Sequence, residues 1–436
     1  MVRGYKQSFD NRKRLLMYNK LAQVVAESGI WSGVRKESHA FLLSPSVYQI
    51  TKTQQQELSM LGFALYDCMK GLSHIAVIAY DQSLNYGGSW MLARKVFSTG
   101  VPKMYQQLQG VNVKHIPKLL KVDLMINQNG DFKIAEVDGH NKHGIGYSTL
   151  GLRLRDALYP EAQSLPGTVF MLSEEIKRLG HNEVKLFYAD QERFYVPEFE
   201  VAKQEFGKYG INCRVVSEME ADAEFVRNGL FLDLPFLYHR VGLYQTIIDA
   251  YKAGHVSFVI PPKPFFGAKG VLALLRNDSA DHQLEALLHS FIKKQSLDLV
   301  RRYIPTTLLV GRHAEGFDAI LNRVSKRKYV LKESISSGMK GTVFSDAPDF
   351  NSVLERACKS DMNWILQEEV VNQPQTFSWF EDGNGGEPKL NTADDWFMRV
   401  TVQYVNRKLS DVITTARRDK SVHGAKDCLQ IGTIVL

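Results

Sequence analysis

The segment Tyr329–Phe344, YVLKESISSGMKGTVF, decides how the rest of the chain is read. It opens with apolar residues around a lysine (Tyr329, Val330, Leu331, Lys332) and closes with a β-prone run (Thr342, Val343, Phe344). Between them lies a small polar turn carrying Gly338, Lys340 and Gly341. Two strands joined by a glycine- and serine-rich loop predict a flap. The backbone N–H groups of a flap can lie on phosphate oxygens, because glycine permits close approach. Lys332 on the first strand and Lys340 in the loop would supply point charges for a polyphosphate. An ordinary hairpin with solvated lysines is the plain alternative, and only the surrounding segments decide between them.

Residues 117–150, PKLLKVDLMINQNGDFKIAEVDGHNKHGIGYSTL, supply one such segment. The spacing predicts a strand over 119–126, an Asn-Gly turn within 127–130 and a second strand over 132–137. Asp123 falls within the first strand. Glu136 and Asp138 stand two apart at the end of the second, so they share a face if the strand persists. Asn141 follows in the loop. Three carboxylates and an amide at a strand end make a hard, oxygen-rich site of the kind Mg²⁺ prefers, unless they are simply solvated. The loop 140–148 with Gly139, Gly144 and Gly146 suits close approach to a ligand, and His143 is a candidate contact or merely exposed.

The remaining chain arranges itself around these hairpins. Residues 1–115 read as a helical N-terminal part, with helices expected over 14–28, 54–71 and 88–97. Residues 116–165 hold the acidic hairpin and its loop. Residues 166–260 read as a small α/β unit: strands at 184–188, 213–216 and 229–240, with a helix over 196–209 closed by Gly210. No GxGxxG turn accompanies it, so it is not read as a dinucleotide site; Arg240 could reach a substrate or cap the sheet. Residues 257–275, SFVIPPKPFFGAKGVLALL, read as a proline-rich bend leading to Gly267, Lys269 and Gly270 at a helix start, which suits an anion or simply marks a linker; residues 261–436 form the last region. Strands at 303–310, 364–371, 397–404 and 409–418 and helices at 282–294 and 350–359 complete the expectation.

Composition excludes several classes. Over 436 residues, 44% hydrophobic and 23% charged residues are globular values. Four scattered cysteines (Cys68, Cys213, Cys358, Cys428) form no CxxC pair, which argues against a zinc site or disulfide framework. No long apolar run or signal-peptide core stands out, so a cytoplasmic protein with no membrane partner is expected. The net charge of +7 is spread along the chain without interleaved aromatics, so no nucleic-acid partner is expected. An enzyme handling anionic nucleotides accounts for the excess equally well.

Taken together, the series Lys332, the loop 336–341, Gln367-Glu368-Glu369-Val370 and Arg399 resembles an ATP-grasp enzyme. The acidic strand Glu136-Val137-Asp138 precedes these pieces instead of following them. That order resembles the circularly permuted branch, which includes glutathionylspermidine synthase-like carboxylate–amine ligases. The resemblance covers residue 115 onward and implies an α+β or α/β, circularly permuted ATP-grasp fold, with 166–260 as a pre-ATP-grasp-like domain. It implies Mg²⁺ on Asp123, Glu136 and Asp138, with Asn141 in support; the third position is usually asparagine, so Asp138 departs from the pattern. It implies ATP phosphates on Lys269, Lys332, Gly338, Lys340 and Gly341. Adenine and ribose would fall at Gln367, Glu368, Glu369 and Val370, and Arg399 would bear on the transferred phosphoryl group. Arg417 with Val422-His423-Gly424 matches a C-terminal signature of related ligases. The implied activity is an ADP-forming ligase joining a small-molecule or peptide carboxylate to an amine or thiol through an acyl-phosphate. A small-molecule kinase or an inactive nucleotide-binding protein on the same scaffold are the alternatives, and the oligomeric state is left open.

Overall fold

The computed structural model describes residues 11–31, 40–82, 88–236, 239–312, 317–324, 326–336, 341–361, 363–381, 387–424 and 426–436. Its largest sheet is antiparallel and runs in the order β15 (Cys428–Ile431), β14 (Lys408–Arg417), β13 (Lys389–Val405), β2 (Leu119–Ile126), β3 (Phe132–Asp138). The long strand β13 continues beyond this sheet to pair with β12 (Gln375–Glu381), a strand the sequence does not signal. Alternation along each strand separates two faces. Leu120, Val122 and Leu124 on β2, and Val400, Val402 and Tyr404 on β13, are fully buried in one hydrophobic core. Asp123 on β2, and Arg399, Thr401 and Gln403 on β13, stand on the opposite face.

The core side is covered by the helix Lys52–Gln82, longer than the expected 54–71. The Tyr404 hydroxyl donates to the Leu58 carbonyl at 2.8 Å, and the Tyr66 hydroxyl donates to the Lys118 carbonyl at 2.9 Å, so polar tips inside this apolar layer are satisfied. By length and composition this helix could cross a membrane, which the sequence reading did not register. In the fold, 67% of its most apolar window is buried within the protein, as in a core helix.

A second antiparallel sheet has the order β10 (Thr342–Phe344), β9 (Tyr329–Glu333), β11 (Trp364–Glu368), β8 (Thr307–Val310). The expected flap strands are paired here, with Thr342 opposite Lys332 and Phe344 opposite Val330. One side of this sheet packs on the helices Phe317–Val324 and Phe350–Lys359 through Leu331, Leu354 and Leu366. Strand β11 ends at Glu368, not at 371, and β8 begins at Thr307, after a helix Lys294–Tyr303.

A third sheet is parallel, in the order β5 (Asn212–Ser217), β4 (Glu183–Tyr188), β6 (Gly229–Phe231), β7 (Val256–Phe258). The strand expected over 229–240 is only three residues long. The run Asp233–Leu234–Pro235 leaves the sheet instead, while Leu232 still bonds Lys185 and Ile260, and the fourth strand comes from the stretch read as a bend. Proline after Ile260 hid a strand that ends just before it. A short parallel pair, β1 (Tyr48–Ile50) with β16 (Thr433–Val435), ties the N-terminal region to the C-terminus.

Helix Lys52–Gln82 approaches the end of helix His282–Phe291 at Gly71. A Cβ there would lie 2.3 Å from Ile292 Cγ1 and 2.8 Å from the Phe291 carbonyl oxygen. Gly71→Leu is expected to destabilise the protein by about 1–3 kcal/mol through overpacking, seen as a lower urea midpoint. Gly110→Ala, with open space around its Cβ, should leave the midpoint within about 0.5 kcal/mol of wild type.

Candidate functional site

The polar face of the large sheet and the β8–β11 sheet enclose a cavity of about 790 Å³. The acidic hairpin and the lysine hairpin, nearly 200 residues apart, face each other across it. The local cause is a β-bulge in β3. Leu124 pairs with Ile134 but Asp123 pairs with Glu136, leaving Ala135 as the extra residue. Without it, Glu136 would stand opposite Val122 and turn toward the apolar core. With it, Asp123 and Glu136 sit directly opposed on the cavity face, and the Ala135 carbonyl accepts a hydrogen bond from Lys332 Nζ at 3.1 Å.

Lys332 also donates to Gln367 Oε1 at 2.7 Å. Burial pushes its pKa down to about 8, with Glu136 opposing and Lys269 adding to the shift. Gln367 is itself 3% exposed and holds Lys332 from the middle of β11, with its amide directed at Ile134 and Thr307. Lys269 bridges the two sheets: Nζ lies 3.1 Å from Glu136 Oε1 and donates to the Ser336 carbonyl at 3.0 Å. Its segment reaches so close to the acidic loop that a Cβ at Gly267 would lie 1.8 Å from His140 Nδ1. Asp123 accepts from Thr401 Oγ1 at 2.6 Å and pairs with Arg399 at 3.3 Å.

The four expected oxygen ligands divide into two groups. Asp123 and Glu136 form an opposed pair between Arg399 and Lys269. Asp138 is held by Lys121 at 2.8 Å and by His140 at 2.9 Å. Burial alone would raise its pKa, but the Lys121 ammonium and the His140 contact hold it well below the ordinary carboxylate range. Asn141 Oδ1 accepts from Lys121 at 2.6 Å and from the His143 N–H at 3.0 Å, while Nδ2 donates to Asp138 at 2.8 Å. Among the described residues, no three His, Cys, Asp or Glu side chains form a ready-made metal cluster.

Glu368 binds Arg327 at 3.0 Å, and Glu369 lies 3.8 Å from Lys420. Glu369 Oε2 is buried without a hydrogen-bond partner among the described residues. Both line the cavity, as does Val370. Gly341 takes φ 67° at the base of the flap, where a Cβ would lie 2.8 Å from Glu333 Cβ, so glycine is needed there. Gly338 and Lys340 lie outside the described residues. Arg417 stands behind the cavity wall: it binds Asp427 at 3.0 Å and the Ser421 carbonyl at 3.4 Å, steadying the loop that carries Val422, His423 and Gly424.

Sequence reasoning missed Lys121, Lys420, Thr401, Gln403 and Glu198, all of which line the cavity. The alternation Lys121–Val122–Asp123 and Arg399–Val400–Thr401–Val402–Gln403 carried the signal for three of them. Glu198, early in the helix Val196–Lys208, offered none.

No family model and no curated protein matches the chain. One solved structure, described as a candidate gamma-glutamylcysteine synthetase from Methylobacillus flagellatus KT, shares 10% identity and a TM-score of 0.36 over 84% of this chain and 88% of that one. D-cycloserine synthetase DcsG shares 12% identity and a TM-score of 0.28 over 56% of this chain and 90% of its own. Both likenesses are too faint to bear on activity.

The lowered pKa of Lys332 has a consequence for stability. The unfolded chain keeps this lysine protonated up to its ordinary pKa of 10.5, whereas the folded protein releases the proton near 8. Between these values the unfolded state binds more protons, so the Lys332 contribution to stability rises with pH and is lost as pH falls toward 8. The melting temperature of wild type relative to Lys332→Met should therefore shift in favour of wild type from pH 7.5 to pH 10. A pH-independent difference would mean a solvated, ordinary lysine.

Proposed function

We propose that the chain is an ATP-dependent, ADP-forming ligase on a circularly permuted ATP-grasp fold, activating a substrate carboxylate as an acyl-phosphate for attack by an amine or thiol. The observation that carries this reading is the convergence of Lys332, Lys269 and Arg399 with Asp123 and Glu136 on one cavity. Three cations beside two carboxylates, between two sheets, suit a triphosphate and its counter-ion better than they suit an uncharged ligand. The cavity volume of about 790 Å³ falls in the range of small-molecule sites.

The donor set fits Mg²⁺. Asp123 and Glu136 offer hard carboxylate oxygens from adjacent, directly opposed strand positions, and a nucleotide-bound Mg²⁺ usually takes one or two carboxylates and completes its shell with phosphate and water. When bound, the ion would neutralise phosphate charge and fix the phosphates in line. Lys269 and Lys332 would hold phosphate oxygens from the opposite sheet. Lys332 is already directed by Gln367 and the Ala135 carbonyl, so it needs no reorganisation to meet an anion. Arg399 pairs with Asp123 and keeps a buried, unpartnered Nε among the described residues; it would bear on the transferred phosphoryl group and the acid. Glu369 Oε2 offers a buried acceptor for a ribose hydroxyl. The carboxylate oxygen attacks the γ-phosphorus, ADP leaves, and the amine nitrogen or thiol sulfur then displaces phosphate from the acyl carbon. The flap around Gly341 would cover an intermediate that water destroys.

Cys68, Cys213 and Cys358 form no disulfide, and burial pushes the Cys213 thiol up to about 12. A reducing, cytoplasmic setting suits them.

Lys332→Ala and Glu136→Ala should each reduce ATP turnover by about three orders of magnitude or more while retaining a cooperative melt. Near wild-type ADP release in either variant, with a true substrate, would refute the site. Hydroxylamine separates this chemistry from phosphorylation of an alcohol. An acyl-phosphate yields a hydroxamate; a stable phosphoester yields none and would establish a kinase instead.

A further inference from the structure

The cavity continues past the acidic pair. Arg399, Thr401 and Gln403 face it from alternate positions of β13, so Gln403 lies about 7 Å beyond Thr401 along the strand, on the side away from Arg399. There Gln403 and Glu198 hold the carbonyl and the N–H of the same glycine, Gly144. The Gly144 N–H donates to Glu198 Oε1, and Gln403 Nε2 donates to the Gly144 carbonyl at 3.1 Å. Both residues are 0% exposed. Each keeps one oxygen, Glu198 Oε2 and Gln403 Oε1, without a hydrogen-bond partner among the described residues.

Two buried acceptors left unpaired are costly unless a donor arrives. The lysines of this loop are committed elsewhere. Lys121, whose stem passes Gly144, binds Asp138 and Asn141. Lys142 is held by Glu192 at 3.0 Å and Asp233 at 3.2 Å. Aromatic rings line the same cavity: the Tyr195 ring centroid lies 4.1 Å from that of His143, next to Gly144, at a tilt of 44°, and Tyr147 and Phe194 are close in sequence to the same two elements. A carboxylate, an amide oxygen and aromatic faces together select a cation that carries several N–H donors.

We propose that this end of the cavity is a subsite for a primary ammonium group, carried by a substrate whose carboxylate reaches Arg399 at the other end. The ammonium would donate to Glu198 Oε2 and Gln403 Oε1. Arg399 and Gln403 stand four residues apart on β13, about 13 Å, so the substrate is a long, extended amino acid. The inference rests on the ligase reading only for what occupies the far end, and it narrows that reading to an ammonium-bearing acid.

The test is calorimetric titration of the full chain, without nucleotide, using 5-aminopentanoate, 1-pentylammonium and pentanoate. The two ammonium probes should bind at least about tenfold more tightly than pentanoate, and Glu198→Gln, which keeps the acceptor for the Gly144 N–H, should weaken both by about tenfold or more. Gln403→Met should weaken them by a smaller factor. Pentanoate binding as tightly as the ammonium probes, no binding of either ammonium probe, or unchanged affinity in a folded Glu198→Gln would overturn the subsite. If Glu198→Gln does not melt cooperatively, Gln403→Met and the pentanoate comparison decide. Mg-ATP affinity is titrated separately. Absent ammonium binding with intact Mg-ATP binding removes only the subsite, while ammonium binding without any Mg-ATP binding removes only the ligase reading.

Discussion

A lysine ammonium enclosed between two sheets has to be met by oxygen, and the architecture turns on how Lys332 meets that demand. Its partners come from both sheets: Gln367 from its own and the Ala135 carbonyl from the other. The second exists because β3 carries one residue too many. The bulge that frees the Ala135 carbonyl also sets Glu136 opposite Asp123. One irregularity therefore orients the acidic pair and anchors the cation facing it. Burying a charge costs several kcal/mol, and burial accordingly pulls the Lys332 pKa down to about 8. An anion bound there would relieve that cost.

A second buried lysine fixes the loop that follows. Lys142 is 0% exposed and lies between Glu192, before the helix Val196–Lys208, and Asp233, after β6. Burial alone would lower its pKa, but Asp233 and Glu192 outweigh it and hold the lysine charged. Glu192 also takes His143 at 2.9 Å, and the Lys142 ammonium with the His143 hydrogen bond outweighs its desolvation to bring it down to about 2. The cluster joins the acidic hairpin to the parallel-sheet unit. Replacing such a network by apolar residues often costs little stability, so its value lies in holding the 139–144 loop, and with it Gly144, Glu198 and Gln403, in one geometry.

The cavity is consequently divided by charge. Toward the β8–β11 sheet, Lys269, Lys332 and Arg399 dominate and suit phosphate. Toward the helix Val196–Lys208, unpaired acceptors and rings dominate and suit a cation. A substrate spanning the two would be oriented by charge alone before any shape complementarity is considered.

Much of the secondary structure was legible locally. The helix Phe350–Lys359, the acidic hairpin and the paired flap strands follow from periodicity and turn residues, and the alternation on β13 already separated Arg399 from Val400. The strand Val256–Phe258 and the exit of the chain after Phe231 were not legible, since a proline-bounded apolar run reads alike as strand or bend. The amino-acid sequence by itself determined which residues share a strand face and which side of each strand is apolar, because that depends only on a two-residue period. What each polar face meets was decided by the tertiary structure. Asp138 became a partner of Lys121, Gln367 became a brace for Lys332, and Glu198 reached the cavity, because ion pairs and hydrogen bonds join groups by distance in space, to which distance along the chain is no guide.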